Sequence, residues 1–242
     1  MKPTMPTITG WAIAVLGLLA TADLRAAFII ATNGSLGAGN YAYTGPGGTA
    51  ATNSTASAGN LPATTDSPPT FFTLAHVYGG NGTTDEYTFT YTPANNPDNT
   101  PFAANTVFNL QQNLRSTGLA GGTGGIYHVY RLHPANPNVS GGNTIYRLFL
   151  NGGLQATEII DQNAANFAAG QNVGRWERIG SVAAPDASNI LTVTMTPTNS
   201  TFVSMRASGI MFEYAGPIPE PATGTLLGLG ACVWLRRRRS IR

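Results

Sequence analysis

The stretch ILTVTMTP, residues 190–197, alternates two kinds of side chain: Leu191, Val193 and Met195 in one phase, Thr192, Thr194 and Thr196 in the other. A period of two sends successive side chains to opposite faces of an extended chain, so one face is dry and the other wet. That is the mark of an antiparallel strand laid on a core by one side only. The same grammar runs outward from it. Strands are expected at 71–78, 86–92, 106–111, 126–133, 144–150, 157–161, 176–181, 190–196 and 202–214, with Phe28-Ile29-Ile30 as a short first one. Turn chemistry separates them at Gly79-Gly80-Asn81-Gly82, Gly121 to Gly125, Ser140 to Asn143 and Asn151-Gly152-Gly153. With no helical period between the two ends, the expected fold is all-β: an antiparallel β-sandwich of the jelly-roll type, over residues 27–216. Residues 32–70, small and polar, read as partly irregular loop or linker.

Composition agrees. The chain has 242 residues with 29 Gly and 16 Pro, and only 10% of them are charged. Asn, Gly and Pro each serve a particular turn geometry. The formal charge of +2 is misleading, because Lys2, Arg25 and the arginines at 236–239 and 242 lie at the ends. Between Phe28 and Ile218, six arginines face nine acids, which leaves the body at −3 with no lysine. The basic residues therefore give no reason to expect a nucleic-acid partner. The single cysteine, Cys232, lies outside the body, so neither a disulfide nor a thiolate metal site is available to hold the sandwich.

The ends are addresses. Met1-Lys2, a 13-residue apolar stretch from Ile8 to Ala20, and the small residues Ala20-Thr21-Ala22 have the layout of a secretory signal peptide over residues 1–26, cut after Ala22 or after Ala26. Export through Sec-type machinery is the expectation. The other end, residues 217–242, carries Pro219-Glu220-Pro221, then an apolar run from Ala222 to Leu235, then Arg236, Arg237, Arg238 and Arg239, with the basic tail continuing to Arg242. As a helix those 14 apolar residues span about 21 Å, short of the ~30 Å bilayer core. Snorkelling arginines extend the reach of such a transmembrane helix and fix it with its basic end in the cytoplasm.

In order and spacing this tail resembles the PEP-CTERM sorting signal of exported bacterial proteins. The resemblance implies processing by an exosortase, a membrane-embedded cysteine protease-like enzyme, so that the tail sits only transiently in the inner membrane. It also implies a Gram-negative-type bacterium that makes exopolysaccharide, and a cell-envelope or extracellular destination. The same segment goes by the name of an ice-binding-protein C-terminal domain, a label that concerns the tail and does not bear on ice binding.

The second half of the body has a likeness of its own. GGIYHVYRLHPANPN, TIYRLFLNGG, IIDQN, RWERIGSV, NILTVTMTP and FVSMRASGIMFEY follow one another over about 120–215. Their order is similar to that of the golvesin or xanthan-lyase type of carbohydrate-binding-module-like domain, which implies a galactose-binding-like jelly roll. The last strand departs from it, with Met205-Arg206-Ala207-Ser208-Gly209 where that family has an Ala-Asp-Ala-type step.

No residue pattern calls for catalysis. His76, His128 and His133 are scattered; His128, in phase with Ile126, Tyr130 and Leu132, reads as a hydrogen-bonded core or seam histidine. Asp85 and Glu86 face apart, as do Glu158 and Asp161. There is no G-x-S-x-G, H-E-x-x-H or phosphate loop. No enzyme, metal or cofactor is expected. A sugar site would use an aromatic platform with polar side chains beside it. Trp176, Tyr127, Arg131 and Arg147 are the candidates, with Tyr130 and Tyr146 as further rings. Against this, Trp176 suits a core or sheet-edge anchor, the reading favoured for it. Arg131, Arg147 and Arg206 could present one face to an acidic exopolysaccharide, or pair internally with Glu158, Asp161 and Glu177, which is favoured. The expected role is structural or adhesive and non-enzymatic; the alternative is a carbohydrate-binding module for an exopolysaccharide, and a surface glycan hydrolase or lyase ranks third.

Overall fold

The computed structural model describes residues 25–32, 36–45, 52–57, 75–78, 85–101, 107–109, 114–115, 117–132, 143–162, 176–198 and 205–219. Residues 1–24 of the expected signal segment, Glu220 onward and His133 lie outside the described residues, and so do both expected terminal helices. Fifteen strands are described: β1 Arg25–Ala31, β2 Tyr41–Thr44, β3 Thr52–Ser57, β4 Ala75–Tyr78, β5 Glu86–Tyr91, β6 Thr100–Pro101, β7 Val107–Asn109, β8 Leu114–Arg115, β9 Gly125–Leu132, β10 Asn143–Leu150, β11 Gly153–Asp161, β12 Trp176–Ala184, β13 Leu191–Pro197, β14 Arg206–Ala207 and β15 Gly209–Gly216. Ten of them form two five-stranded sheets, ordered β12-β9-β15-β1-β6 (sheet A) and β11-β10-β13-β5-β2 (sheet B). Every pairing within them is antiparallel. Over the described residues the chain forms the all-β, antiparallel sandwich expected from the sequence. Two smaller sheets, β14-β4-β3 and β7-β8, accompany it.

The core lies between the sheets. Sheet B sends in Tyr87, Phe89 and Tyr91 from β5, Tyr146 and Leu148 from β10, and Leu191, Val193 and Met195 from β13. Sheet A answers with Phe28, Ile30, Tyr127, Val129, Ile210 and Phe212. Tyr91 stacks on Phe28 and on Phe212, with ring centroids 5.2 and 4.9 Å apart, so a ladder of rings fills the middle. The threonines of β13 face outward, as their phase requires.

Local chemistry sets the registers. The β10–β11 hairpin turns through Asn151 (φ 48°) and Gly152 (φ 81°), the left-handed pair that an Asn-Gly hairpin turn needs. On β12 the register against β9 slips at Ile179, between Arg178 opposite Tyr130 and Gly180 opposite Val129. That bulge lets Glu177 and Ile179 share the inner face with Val182 and Ala184, which a regular strand could not do.

Several boundaries differ from the sequence reading. The segment 32–70 contains β2 and β3, which its Gly-, Asn- and Thr-rich composition masked; Tyr41 and Tyr43 of β2 pack beside Tyr87 and Phe89. The single strand expected at 202–214 is broken at Ser208 into β14 and β15. Both β11 and β12 are longer than expected, reaching Gly153 and Ala184.

Candidate functional site

Three of the four residues singled out for sugar binding are inside the protein. Trp176 is fully buried on the outer side of sheet A, packed with Ala27, Ile29, Tyr130, Leu132 and Met211. It is an anchor, and the platform reading of it is corrected. Tyr127 is equally buried, its ring edge-on to Tyr91 and Tyr214 and its hydroxyl donating to the carbonyl of Thr123 at 2.6 Å. Neither ring can meet a sugar.

Arg131 is only 3% exposed. Its Nε and Nη2 donate to Glu158 at 2.8 and 2.9 Å, and Nη2 also pairs with Glu177. Tyr146 lies under the guanidinium, 5.4 Å from its ring centroid. Burial opposes the charge, but the hydrogen bond and field of Glu158 outweigh it and hold the guanidinium above its ordinary value. Burial likewise pushes the Tyr146 phenol up to about 12, against the pull of Arg131. This cluster joins β9, β11 and β12, so it clamps the neighbouring edges of both sheets. Arg206 is buried too, its backbone N–H and C=O both engaged by the Gln162 amide at 3.0 and 2.8 Å. A row of arginines for an acidic polysaccharide is therefore not assembled; internal pairing holds for Arg131.

Arg147 alone of the four is at the surface, on the open outer face of sheet B, where Nη1 donates to Thr196 Oγ1 at 3.0 Å. Across this face run in-register rows: Thr90, Thr192 and Phe149; then Thr88, Thr194, Arg147 and Thr157; then Thr196, Ile145 and Ile159. It is rich in hydroxyls, and Phe149 is the one aromatic ring in these rows. His128, half-buried, sits on the outer side of sheet A with Nδ1 2.8 Å from Ser181 Oγ, a seam position as expected. Asp85, buried, accepts from the Tyr43 hydroxyl at 2.8 Å, while Glu86 faces outward. Among the described residues no group of His, Cys, Asp and Glu is arranged to hold a metal, and no helix is long and apolar enough to cross a membrane. Of the sorting motif, Pro219 is exposed; Glu220 and Pro221 are outside the described residues.

A concave site opens at one end of the sandwich, and the sequence reading did not single it out. A cleft of about 370 Å³ is walled by Pro93, Ala94, Pro97 and Asp98 on one side and by Ala120, Gly121 and Gly122 on the other. Both walls are held firmly. In the first, Asn96 Oδ1 accepts the Thr92 N–H at 3.0 Å, and the Ala94 N–H bonds to Ala187 at 2.9 Å. Asn99 grips both backbone groups of Ile29 with its side-chain amide, at 2.9 and 2.8 Å. The second wall is moored by Thr117, whose hydroxyl donates to the Tyr214 carbonyl at 2.7 Å and whose N–H donates to the buried Glu213 at 2.8 Å.

Asp98 ties the walls together. It is 5% exposed, and its Oδ2 accepts the Gly121 N–H at 2.6 Å, a short charge-assisted bond. A Cβ at Gly121 would come within 2.6 Å of the other carboxylate oxygen, so glycine is required for this close approach. Behind the second wall, burial first and the Asp98 charge as well raise the Tyr127 phenol above its ordinary value, which keeps it a neutral donor to Thr123. The cleft thus offers apolar ring faces from two prolines, peptide groups from a Gly-Gly turn and one buried carboxylate. Its volume falls in the ~300–1,000 Å³ range of small-molecule sites.

No known protein family matches this chain, and no curated protein matches it. Among solved structures it is similar to a xanthan lyase of Paenibacillus, with 16% identity, a TM-score of 0.43 and coverage of 81% of this chain and 13% of the lyase. It is also similar to CBM28, a carbohydrate-binding module described as specific for non-crystalline cellulose, with 9% identity, a TM-score of 0.27 and coverage of 58% of this chain and 72% of the module. The chain spans about an eighth of the length of that lyase. At these identities neither likeness says what this chain binds.

Proposed function

We propose that this chain is an exported bacterial protein of the cell envelope or extracellular matrix, and that its sandwich adheres to polysaccharide through the end cleft without covalent chemistry. One observation carries the reading: a preformed cleft whose buried carboxylate, Asp98, stands among the faces of Pro93 and Pro97. Proline and alanine surfaces suit the C–H faces of a sugar ring, and the Gly121-Gly122 turn offers peptide groups to its hydroxyls, while Asp98, bonded to the Gly121 N–H, holds that turn in place. The cleft's size suits a chain end or a side branch. A carboxylate in the wall, on a body of charge −3, disfavours uronic acids and sulfated sugars, so the ligand class is a neutral glycan. Delivery follows from the two ends of the chain: a signal peptide for export and a PEP-CTERM tail for an exosortase, with the inner membrane a passing stage.

The test is a panel of neutral and acidic glycans presented to the exported protein and to Asp98→Asn. Asparagine keeps the shape but loses charge and one acceptor. The expected result is binding to one or more neutral glycans, weakened at least tenfold in the variant, whose circular dichroism still reports a folded sandwich. Absence of binding to every glycan, or binding indifferent to Asp98, would overturn the proposal.

A further inference from the structure

Sheets of this kind have edges, and an uncovered edge is a template for another strand. Three of the four edges here are blunted. In sheet A, β6 has two residues, and β12 is bent by its bulge at Ile179 and carries the exposed Arg178. In sheet B, β2 has four residues. The fourth edge is different. β11 runs for nine residues, Gly153–Asp161, and among the described residues it is paired on one side only, with β10. It has no proline and no lysine, and its register kink falls near the hairpin end, opposite Leu148 and Phe149, which leaves Ala156–Asp161 regular. It also exposes Leu154 (56%) and Ile159 (57%), each in register with a further apolar residue of β10, Phe149 and Ile145.

We propose that this edge docks a second copy of the chain, β11 against β11 in antiparallel register, to make one continuous ten-stranded sheet. The strand's own charges favour a copy over a foreign strand. Glu158 is turned into the sandwich and bonded to Arg131, so Asp161 is the one outward charge on β11. A two-fold pairing centred on Thr157 sets Glu158 opposite Ala156 of the partner subunit and Asp161 opposite Gly153 of the partner subunit. The two Asp161 side chains then lie at opposite ends of the paired strands, and no like charges meet. Such an interface is closed and self-complementary, the commonest symmetry of soluble oligomers. It is also small. A nine-residue strand is about 30 Å long, so the pair buries roughly 600 Å², well under the ~1,600 Å² of a standard interface. Association through it is weak and reversible, suited to crowding at a surface, and is independent of the end cleft.

A covalent trap reads such an interface. In the full chain carrying Cys232→Ser, Thr157→Cys introduces the only cysteine. Directly opposed residues of an antiparallel pair have Cα atoms about 4.5–5.5 Å apart, within disulfide reach. Under mild oxidation the Thr157→Cys protein is expected to cross-link as a dimer at least fivefold more than Thr194→Cys, whose residue lies mid-sheet on the same face. Adding Ile159→Lys, a charge on the free edge, should return cross-linking to the level of Thr194→Cys without lowering the melting temperature. Equal cross-linking of the two cysteine variants would overturn the proposal, and so would a Thr157 cross-link that is indifferent to Ile159→Lys.

Discussion

The two sheets solve the same problem with opposite outer surfaces. Sheet B is wet outside: β5 reads EYTFTY and β13 reads LTVTMTP, each inward ring or aliphatic followed by an outward Thr. Sheet A is dry on both sides over much of its width. Its β1 reads RAAFIIA, and Ala27, Ile29 and Ala31 on the outer side are as deeply buried as Phe28 and Ile30 on the inner. Tyr130, Leu132, Trp176 and Met211 complete that second apolar layer, with Leu36 packed against it. A strand covered on both faces has no wet side to mark its period, so it becomes a near-continuous apolar run. Sheet A is therefore where stability is concentrated, and sheet B is where surface is presented.

The largest expected effect lies in that second layer. Trp176→Ala removes a fully buried ring and leaves a cavity, and a loss of about 3–5 kcal/mol is expected. Thr194→Ala, on the open face of sheet B, should change stability by less than about 0.5 kcal/mol. Urea unfolding of the two variants makes the contrast direct. Similar costs for both would break the distinction between a doubly covered sheet and a half-wet one.

The next effect sits where the sheets are clamped. Arg131→Met strands Glu177, which is buried, and removes the partner of Glu158 from the opposite sheet. A loss of about 3 kcal/mol is expected near neutral pH, because an unpaired buried charge is costly. Glu158→Gln keeps an acceptor and sits at a more exposed position, so about 1 kcal/mol is expected. If urea unfolding gives both substitutions the same cost, the charge cluster does not clamp the sheets.

This contrast also explains what could be read in advance. The alternation in β5, β10 and β13 was legible because water lies on one side of sheet B, and the Asn151-Gly152 turn was legible because its backbone demands those residues. The break at Ser208, where the chain passes from β14 into β15 of sheet A, was not, since buried residues on either side of it hide any change of phase. The β2 strand, YAYT, was lost in a segment whose composition suits loops. The end cleft was the least legible feature. Asp98 follows Pro97 in one loop, and Gly121 lies 23 residues on in another. Nothing local says that the two meet; the topology alone brings them together. Trp176, by contrast, reads as an anchor from the motif that carries it, RWERIGSV.

The smallest effect probes where the outer cover of sheet A ends. His128 shares the outward phase of Tyr130 and Leu132, yet it is only half-buried and neighbours the exposed Ser181. Across β15 its register partner is the buried Glu213, which is already bonded to Tyr130 and Thr117; Arg178 lies on the other flank. Burial first, and then Arg178, lower the imidazole's affinity for a proton below the ordinary value. Protonation is therefore easier in the unfolded chain. Stability should be full above about pH 6.5, the ordinary histidine value, and should fall as pH drops below it towards the lowered folded value. In His128→Gln, which can still bond Ser181, that part of the acid-side slope should vanish while stability at pH 8 changes little. The difference between the two pH profiles isolates His128 from the carboxylates and from the other histidines, which both proteins share. An identical slope in the variant would mean that the imidazole is freely solvated and that the cover over sheet A stops short of it, at Tyr130.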